Sequence, residues 1–535
     1  MQKKNKLSDQ PTQNEMAELE KLFNLNELNS LEEKAKKLVN KYPKVANLYN
    51  ILGVVLQKKR KFDEAITNFR KAIDIHPNSH LAYNNLGNIL FTKKKFEESI
   101  NSYKEAIKIN PNYAEAYSNL GNAQSELGKF EDAINNQKHA IKLNPEIAQF
   151  YSNLGNSLSD ACRFQEAVNN HQKALKMNPN FAEAYSDLGI SLQGLEKYQE
   201  AIINHQKAKK LNPEYKKANY NESFIRFLIG DFKSGWEMYE SRLTEDEIPL
   251  RYHPKKIWDG KYLDGTLLVW GEQGLGDHII FASMLTDLAK YAKDIIIEVD
   301  LRLENLLKRY FDKANLSNIK IANIKNKLTE NFDKHIAIAS LGKYLRNSRK
   351  SFETTPQQYL ITSSDKEKEF KKKFFNNDKF KIGISWKVGN KKQHFRNVNL
   401  EKMLPILSNK NCDFINLQFG DFDNDLKYLK SKFGISVRSI NEVDNYNSTD
   451  DLAALINCLD LVITIQNTTT HLAGALGKKT LLMLPKNARW HWFNDNKKSL
   501  WYPSIKIFRQ EKIGDWDNVI VDVNKYLKKL INNIS

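Results

Sequence analysis

Three cysteines in 535 residues, Cys162, Cys412 and Cys458, are too few and too far apart for a disulfide framework or a paired metal-ligand motif. A reducing compartment is the expectation. No run of about 18 apolar residues occurs, and the lysines of MQKKNKLSDQ have no hydrophobic stretch behind them. A soluble cytoplasmic protein is therefore expected, with at most weak contact to an anionic membrane surface. Tryptophan is missing from the first 235 residues, since all eight lie from Trp236 onward. Proline is also scarce, at 13, yet Pro43, Pro77, Pro111, Pro145, Pro179 and Pro213 stand 34 residues apart without a slip.

That register belongs to a repeated helix-turn-helix unit. Gly53, Gly87, Gly121, Gly155 and Gly189 follow the first five prolines by ten residues, and Tyr49, Tyr83, Tyr117, Tyr151 and Tyr185 precede each glycine by four. Tyrosine and glycine thus share a helical face. Each second half carries Phe62, Phe96, Phe130, Phe164 or Tyr198, then small residues ending in Ala72, Ala106, Ala140, Ala174 or Ala208. Small residues at helical spacing let helices pack closely, and the proline ends the second helix. The pattern resembles the tetratricopeptide repeat over about 200 residues.

The formal charge of +18 does not point to nucleic acid, because lysine is spread over every segment instead of gathering in a patch. With 41% apolar and 11% aromatic residues the chain should fold throughout. Composition changes where the repeat fades. The expected domains are a degenerate helical cap at 1–44, an α solenoid at 45–245, and two Rossmann-like α/β lobes at 246–370 and 371–535, the last with a terminal helix. Expected strands are 266–270, 294–299, 335–338, 381–386, 414–418, 461–465 and 480–484.

Ligands of doubly wound folds bind beyond the carboxyl ends of the strands, and three loops there stand out. The first, LLVWGEQGLGDHII, runs through Gly274 and Gly276 to Asp277 at a helix start. Its glycines allow close backbone approach, although the spacing is not that of a dinucleotide loop and Glu298 or Asp300 only faintly echoes a ribose-binding acid. Asp277 could deprotonate a hydroxyl or merely cap its helix. The second, ISWKVGNKKQHFRNVNL, holds Asn390 beside Lys387, His394 and Arg396, the last three suited as cations to a diphosphate. In the third, Gln466, Asn467, Thr468, Thr469 and Thr470 open a helix carrying His471, an arrangement that suits a phosphate or simply caps a helix.

With EQGLGD (272–277), W-x-x-G-N (386–390), LQFGD (417–421), HLAGALG (471–477) and the aromatic tail from Arg489 to Trp516, residues 250 to 520 resemble the heptosyltransferase-like glycosyltransferases of the B-fold. The resemblance implies inverting, metal-independent transfer of a sugar from a nucleotide-diphosphate donor on the C-terminal lobe to an acceptor on the N-terminal one, with no cofactor. Asp277 would be the base, with Lys387, Asn390, Arg396, Gln418, Gln466, Asn467, Thr468, Thr469 and His471 on the donor side. The family usually shows an Asp-Thr pair where this chain has Gln466 and Asn467. DFDND at 421–425 superficially resembles a metal cluster, but it lies in a loop after LQFG.

Asn85, Asn119, Asn153, Asp187 and Asn221 recur two positions before each repeat glycine or its equivalent, a ladder able to hydrogen-bond a peptide. A similar ladder occurs in the eukaryotic O-linked N-acetylglucosamine transferases. The expected function is transfer of a sugar to a protein captured by the repeats. The alternatives are a polysaccharide or lipid-linked glycan as acceptor, or a scaffold whose transferase half is inactive.

Overall fold

A computed structural model describes residues 10–244, 248, 251, 255–326, 328, 330–389, 391–445, 447–494 and 497–533. The chain divides into two compact units, 1–195 and 196–535. Repeat periodicity persists to about residue 245, but this division falls earlier.

In the first unit, antiparallel helical pairs follow the sequence period. Second helices begin at Phe62, Phe96, Phe130 and Phe164, and each ends two residues before a proline. The repeat glycines mark close approach: a Cβ on Gly53 would lie 2.5 Å from the Phe69 ring, and one on Gly87 would lie 2.5 Å from Tyr103. Gln137 and His171 take the same place over Gly121 and Gly155. Tyr103 Oη donates to Asn88 Oδ1 at 2.9 Å, and Gln137 Nε2 donates to Asn122 Oδ1 at 2.8 Å. In the next repeat Asn156 donates instead to Asp187 Oδ2 at 2.9 Å. Both ring nitrogens of the fully buried His171 are left without a hydrogen-bond partner among the described residues.

The second unit opens with helices Tyr198–Leu211, Lys216–Leu228 and Phe232–Tyr239 and the short turn Glu240–Arg242, then builds two sheets. The first has strands β1 (Lys256–Ile257), β2 (Leu263–Trp270), β3 (Ala292–Val299), β4 (Ile319–Asn323) and β5 (Lys334–Ala337), in the order β1-β5-β2-β3-β4. The second has β6 (Phe380–Ser385), β7 (Cys412–Asn416), β8 (Leu461–Ile465), β9 (Thr480–Leu484) and β10 (Ile505–Arg509), in the order β10-β9-β8-β6-β7. All neighbouring strands are parallel. Every residue of β8 and β9 is buried, as expected of strands covered on both faces.

Chain order reverses at β2 in one sheet and at β6 in the other, so the loops after β2, β6 and β8 leave at the switch points where such sheets bind ligands. One apolar core runs from Phe227, Phe232, Trp236 and Tyr239 through the first sheet to Trp490 and Trp501. The last two repeat helices therefore belong to the core of the α/β unit.

Candidate functional site

The loop after β2 passes Gly271, Glu272 and Gln273 and enters the Leu275–Ala282 helix through Gly274. Asp277 sits in the first helical turn, where Gly274 N–H donates to its Oδ2 at 3.2 Å. The other oxygen, Oδ1, faces Nε2 of His491 at 3.7 Å, too far for a hydrogen bond. The Asp277 side chain is 16% exposed. Burial raises its pKa, against the opposing influence of the Arg489 cation and the Gly274 amide.

Across the cleft, Asn467 caps the Thr468–Ala475 helix by accepting from Thr470 N–H at 3.3 Å. Its Nδ2 donates to Ser385 Oγ at 2.6 Å, so this amide joins the β8 and β6 loops. Gln466 is buried; Oε1 accepts from Arg489 N–H at 3.3 Å, and Nε2, with no partner among the described residues, belongs to a side chain lining the cleft. His471 lies over Trp492 with ring centroids 5.4 Å apart, and its Nδ1 is 2.8 Å from Tyr502 Oη. Burial lowers the His471 pKa to about 3, with Arg489 adding to the effect. His491 is lowered well below its usual value, first by burial and then by His471, Arg489 and Arg396. Both rings are neutral at ordinary pH.

The two helix starts meet closely. A Cβ on Gly276 would lie 3.2 Å from His471 Cδ2, so a side chain there would press on the opposite wall. Between them lies a cavity of about 330 Å³ lined by Gly274, Asp277, Gln393, Arg396, Gln466, Asn467, Thr468, His471 and Arg489, among others. Asp277 is the single carboxylate among these described lining residues, facing two arginines. A second cavity of about 300 Å³ adjoins it through Gly274, Leu275, Phe419 and Thr468, and holds Thr469 and Arg302. A third of about 260 Å³ follows Phe419 to Asn416, Gln418 and Asn445.

Several expected residues lie elsewhere or serve other groups. Lys387 does not line the main cavity: its Nζ pairs with Asp425 at 2.5 Å, and Trp386 Nε1 donates to the same carboxylate at 2.9 Å. Asp425 thus serves the β6 loop, and Asp423–Asp425 open the Asp423–Phe433 helix where a loop was expected. Gln418 Oε1 accepts from the backbone amides of Trp386 and Lys387 at 3.0 and 2.8 Å, and so shapes that loop. Asn390 lies outside the described residues, as does the side chain of His394. Glu298 pairs with Arg251 and Asp300 with Arg302, so neither acid remains for a ribose.

In the solenoid, Asn85 Nδ2 donates to Asn50, Asn119 to Asn84 and Asn153 to Ser118, at 3.0, 3.0 and 2.9 Å. Each partner lies 35 residues earlier, so the ladder staples neighbouring repeats. Asn221 is buried in the Lys216–Leu228 helix.

Arg489 and His491 carried no expected role beyond the tail motif. The one usable signal was position: they follow β9 in a sheet whose neighbouring loops already held the site.

Family models described as TPR repeat match residues 53–94 and 87–128, and one described as Tetratricopeptide repeat matches 114–147. The solenoid is thus built of tetratricopeptide repeats. Protein FlbA of Caulobacter vibrioides (strain ATCC 19089 / CIP 103742 / CB 15) is 29% identical over 315 residues, a match covering 55% of this chain and 52% of that protein. The chain therefore spans about half the length of that curated relative. Among solved structures, the APC/C hetero-tetramer Cut9-Hcn1 is 19% identical with a TM-score of 0.38, covering 42% of this chain and 45% of that one. A tetratricopeptide repeat protein from Parabacteroides merdae ATCC 43184 is 15% identical with a TM-score of 0.38, covering 45% and 93%. The MamA protein is 28% identical with a TM-score of 0.28, covering 33% and 96%. No helix among the described residues is long and apolar enough to cross a membrane.

Proposed function

We propose that the α/β unit is a B-fold glycosyltransferase that moves a sugar from a nucleotide-diphosphate donor onto a protein hydroxyl. The observation that carries this reading is the opposition, in one cavity, of a carboxylate with a raised pKa to a helix N-terminus and two arginines. Asp277 takes the proton of the acceptor hydroxyl, whose oxygen bonds to the anomeric carbon from the face opposite the leaving group. The bond from that carbon to the diphosphate oxygen breaks, and the nucleoside diphosphate departs with the electron pair. Arg396, Arg489 and the free amides at Thr468 offset the charge that develops there. The tetratricopeptide repeats support a protein or peptide as the recruited partner.

The test is hydrolysis and transfer across a panel of nucleotide sugars. Asp277→Asn should lower kcat by about 10²- to 10⁴-fold, the usual contribution of a general base. A second reading, an inactive transferase half serving as scaffold, draws on Asn467, whose amide is engaged in capping and in bridging two loops. A wild-type chain that neither binds nor turns over any member of the panel would favour it.

A further inference from the structure

The wall of the cleft that carries Asp277 is held from behind. Gln273 has φ of +64°, a left-handed conformation uncommon for a non-glycine residue. Its Nε2 donates to Tyr239 Oη at 3.0 Å. The preceding residue, Glu272, is buried against Arg242, whose Nε and Nη2 donate to its two oxygens at 2.8 and 2.5 Å. Arg242 Nη2 also reaches Ser340 Oγ, and Ala339 N–H donates to Glu272 Oε1 at 3.2 Å. Tyr239 and Arg242 both belong to the end of the last helical pair.

The same helices grip the facing wall. Trp490 stacks on Phe227 with centroids 4.3 Å apart, and meets Trp236 and Tyr239 edge-on at 5.6 and 5.5 Å. Its chain neighbours are Arg489, which lines the cavity, and His491, which faces Asp277. Tyr239 therefore touches both walls, by its hydroxyl on one side and its ring on the other.

We infer that Tyr239 is a positioning residue, which sets the carboxylate of Asp277 against Arg489 by holding Gln273 in its left-handed turn while packing on Trp490. What the cleft catalyses rests on the proposed sugar transfer; the positioning does not. Placement errors of about 1 Å can lower a rate about a hundredfold, so a device that fixes the turn would act on kcat.

The experiment uses the full chain and Tyr239→Phe, which keeps the ring contacts and removes only the oxygen that Gln273 uses. Expected are a thermal midpoint close to wild type, faster amide hydrogen exchange in 272–277, and about a tenfold lower kcat with unchanged KM for whichever nucleotide sugar the wild type hydrolyses. Gln273→Gly removes the need for the hold, so adding Tyr239→Phe to it should change neither readout further. Unchanged exchange in Tyr239→Phe, or additive effects in the double variant, would overturn the inference. If the wild type turns over no nucleotide sugar, the transferase reading fails while the exchange measurement still decides the positioning.

Discussion

In the proposed transfer Asp277 would act as a base while also capping its helix, and its surroundings pull its chemistry in opposite directions. One oxygen accepts the Gly274 amide, which favours the ionised form, whereas burial of the carboxyl favours the neutral one and prevails. A base must be ionised to act, so the acid limb of the pH–rate profile should lie above the ordinary range for aspartate. Arg489 lowers this pKa, so Arg489→Gln should move that limb to still higher pH and also slow turnover; rates measured from pH 4 to 9 will check both. The sign for stability is the reverse of a salt-bridged aspartate. A folded pKa above the unfolded one means the folded state is penalised as pH rises through that interval. Asp277→Asn, which keeps an oxygen for Gly274, should therefore raise the thermal midpoint at pH 7 while slowing turnover, a gain that thermal unfolding of the two chains would show.

At the scale of one repeat, the residue lying over the glycine decides how each helical pair behaves. Tyr103 and Gln137 satisfy an asparagine on the first helix, but His171 has lost that partner because Asn156 turns to Asp187. Burial lowers the His171 pKa to about 4 from 6.5. Its contribution to stability is intact above pH 6.5 and is lost as pH falls from there toward 4, by about 3 kcal/mol in the limit. His171→Gln, which copies the neighbouring repeat, should flatten this acid sensitivity, as unfolding curves at pH 7 and pH 5 would report. Elsewhere, Glu272→Gln leaves the buried Arg242 with the half-buried Glu240 as its remaining counter-charge and should cost about 3 kcal/mol by denaturant titration. The repeat period alone shows which helices exist and where they stop. It does not show this difference, because whether Asn156 turns to His171 or Asp187 depends on geometry between neighbouring repeats.

Across the whole molecule, the apolar core that joins Phe227, Trp236 and Tyr239 to Trp490 determines where the chain can be cut. A fragment starting at Glu196 should fold and unfold cooperatively, whereas one starting at residue 246 would expose Trp490 and strand Glu272; thermal unfolding of both fragments separates them. Much of this organisation is legible beforehand. The prolines mark the end of each repeat's second helix, strands β2, β3, β8 and β9 coincide largely with apolar runs, and Asp277, Arg396, Gln466, Asn467, Thr468 and His471 do line one cavity. What was not legible depends on contacts distant in sequence. Lys387 meets an acid 38 residues later, and Arg489 gains its place because β9 lies beside β8. The strands β1, β4 and β10 were missed: β1 is only two residues long, and β4 and β10 are short alternating runs at sheet edges. The described residues lining the main cavity all come after Gln273, while the units before Glu196 repeat one 34-residue period. In a solenoid each unit bonds chiefly to its neighbours. Units could therefore be added or deleted in 34-residue steps upstream, making the array a length that selection can edit while the chemistry downstream stays constant.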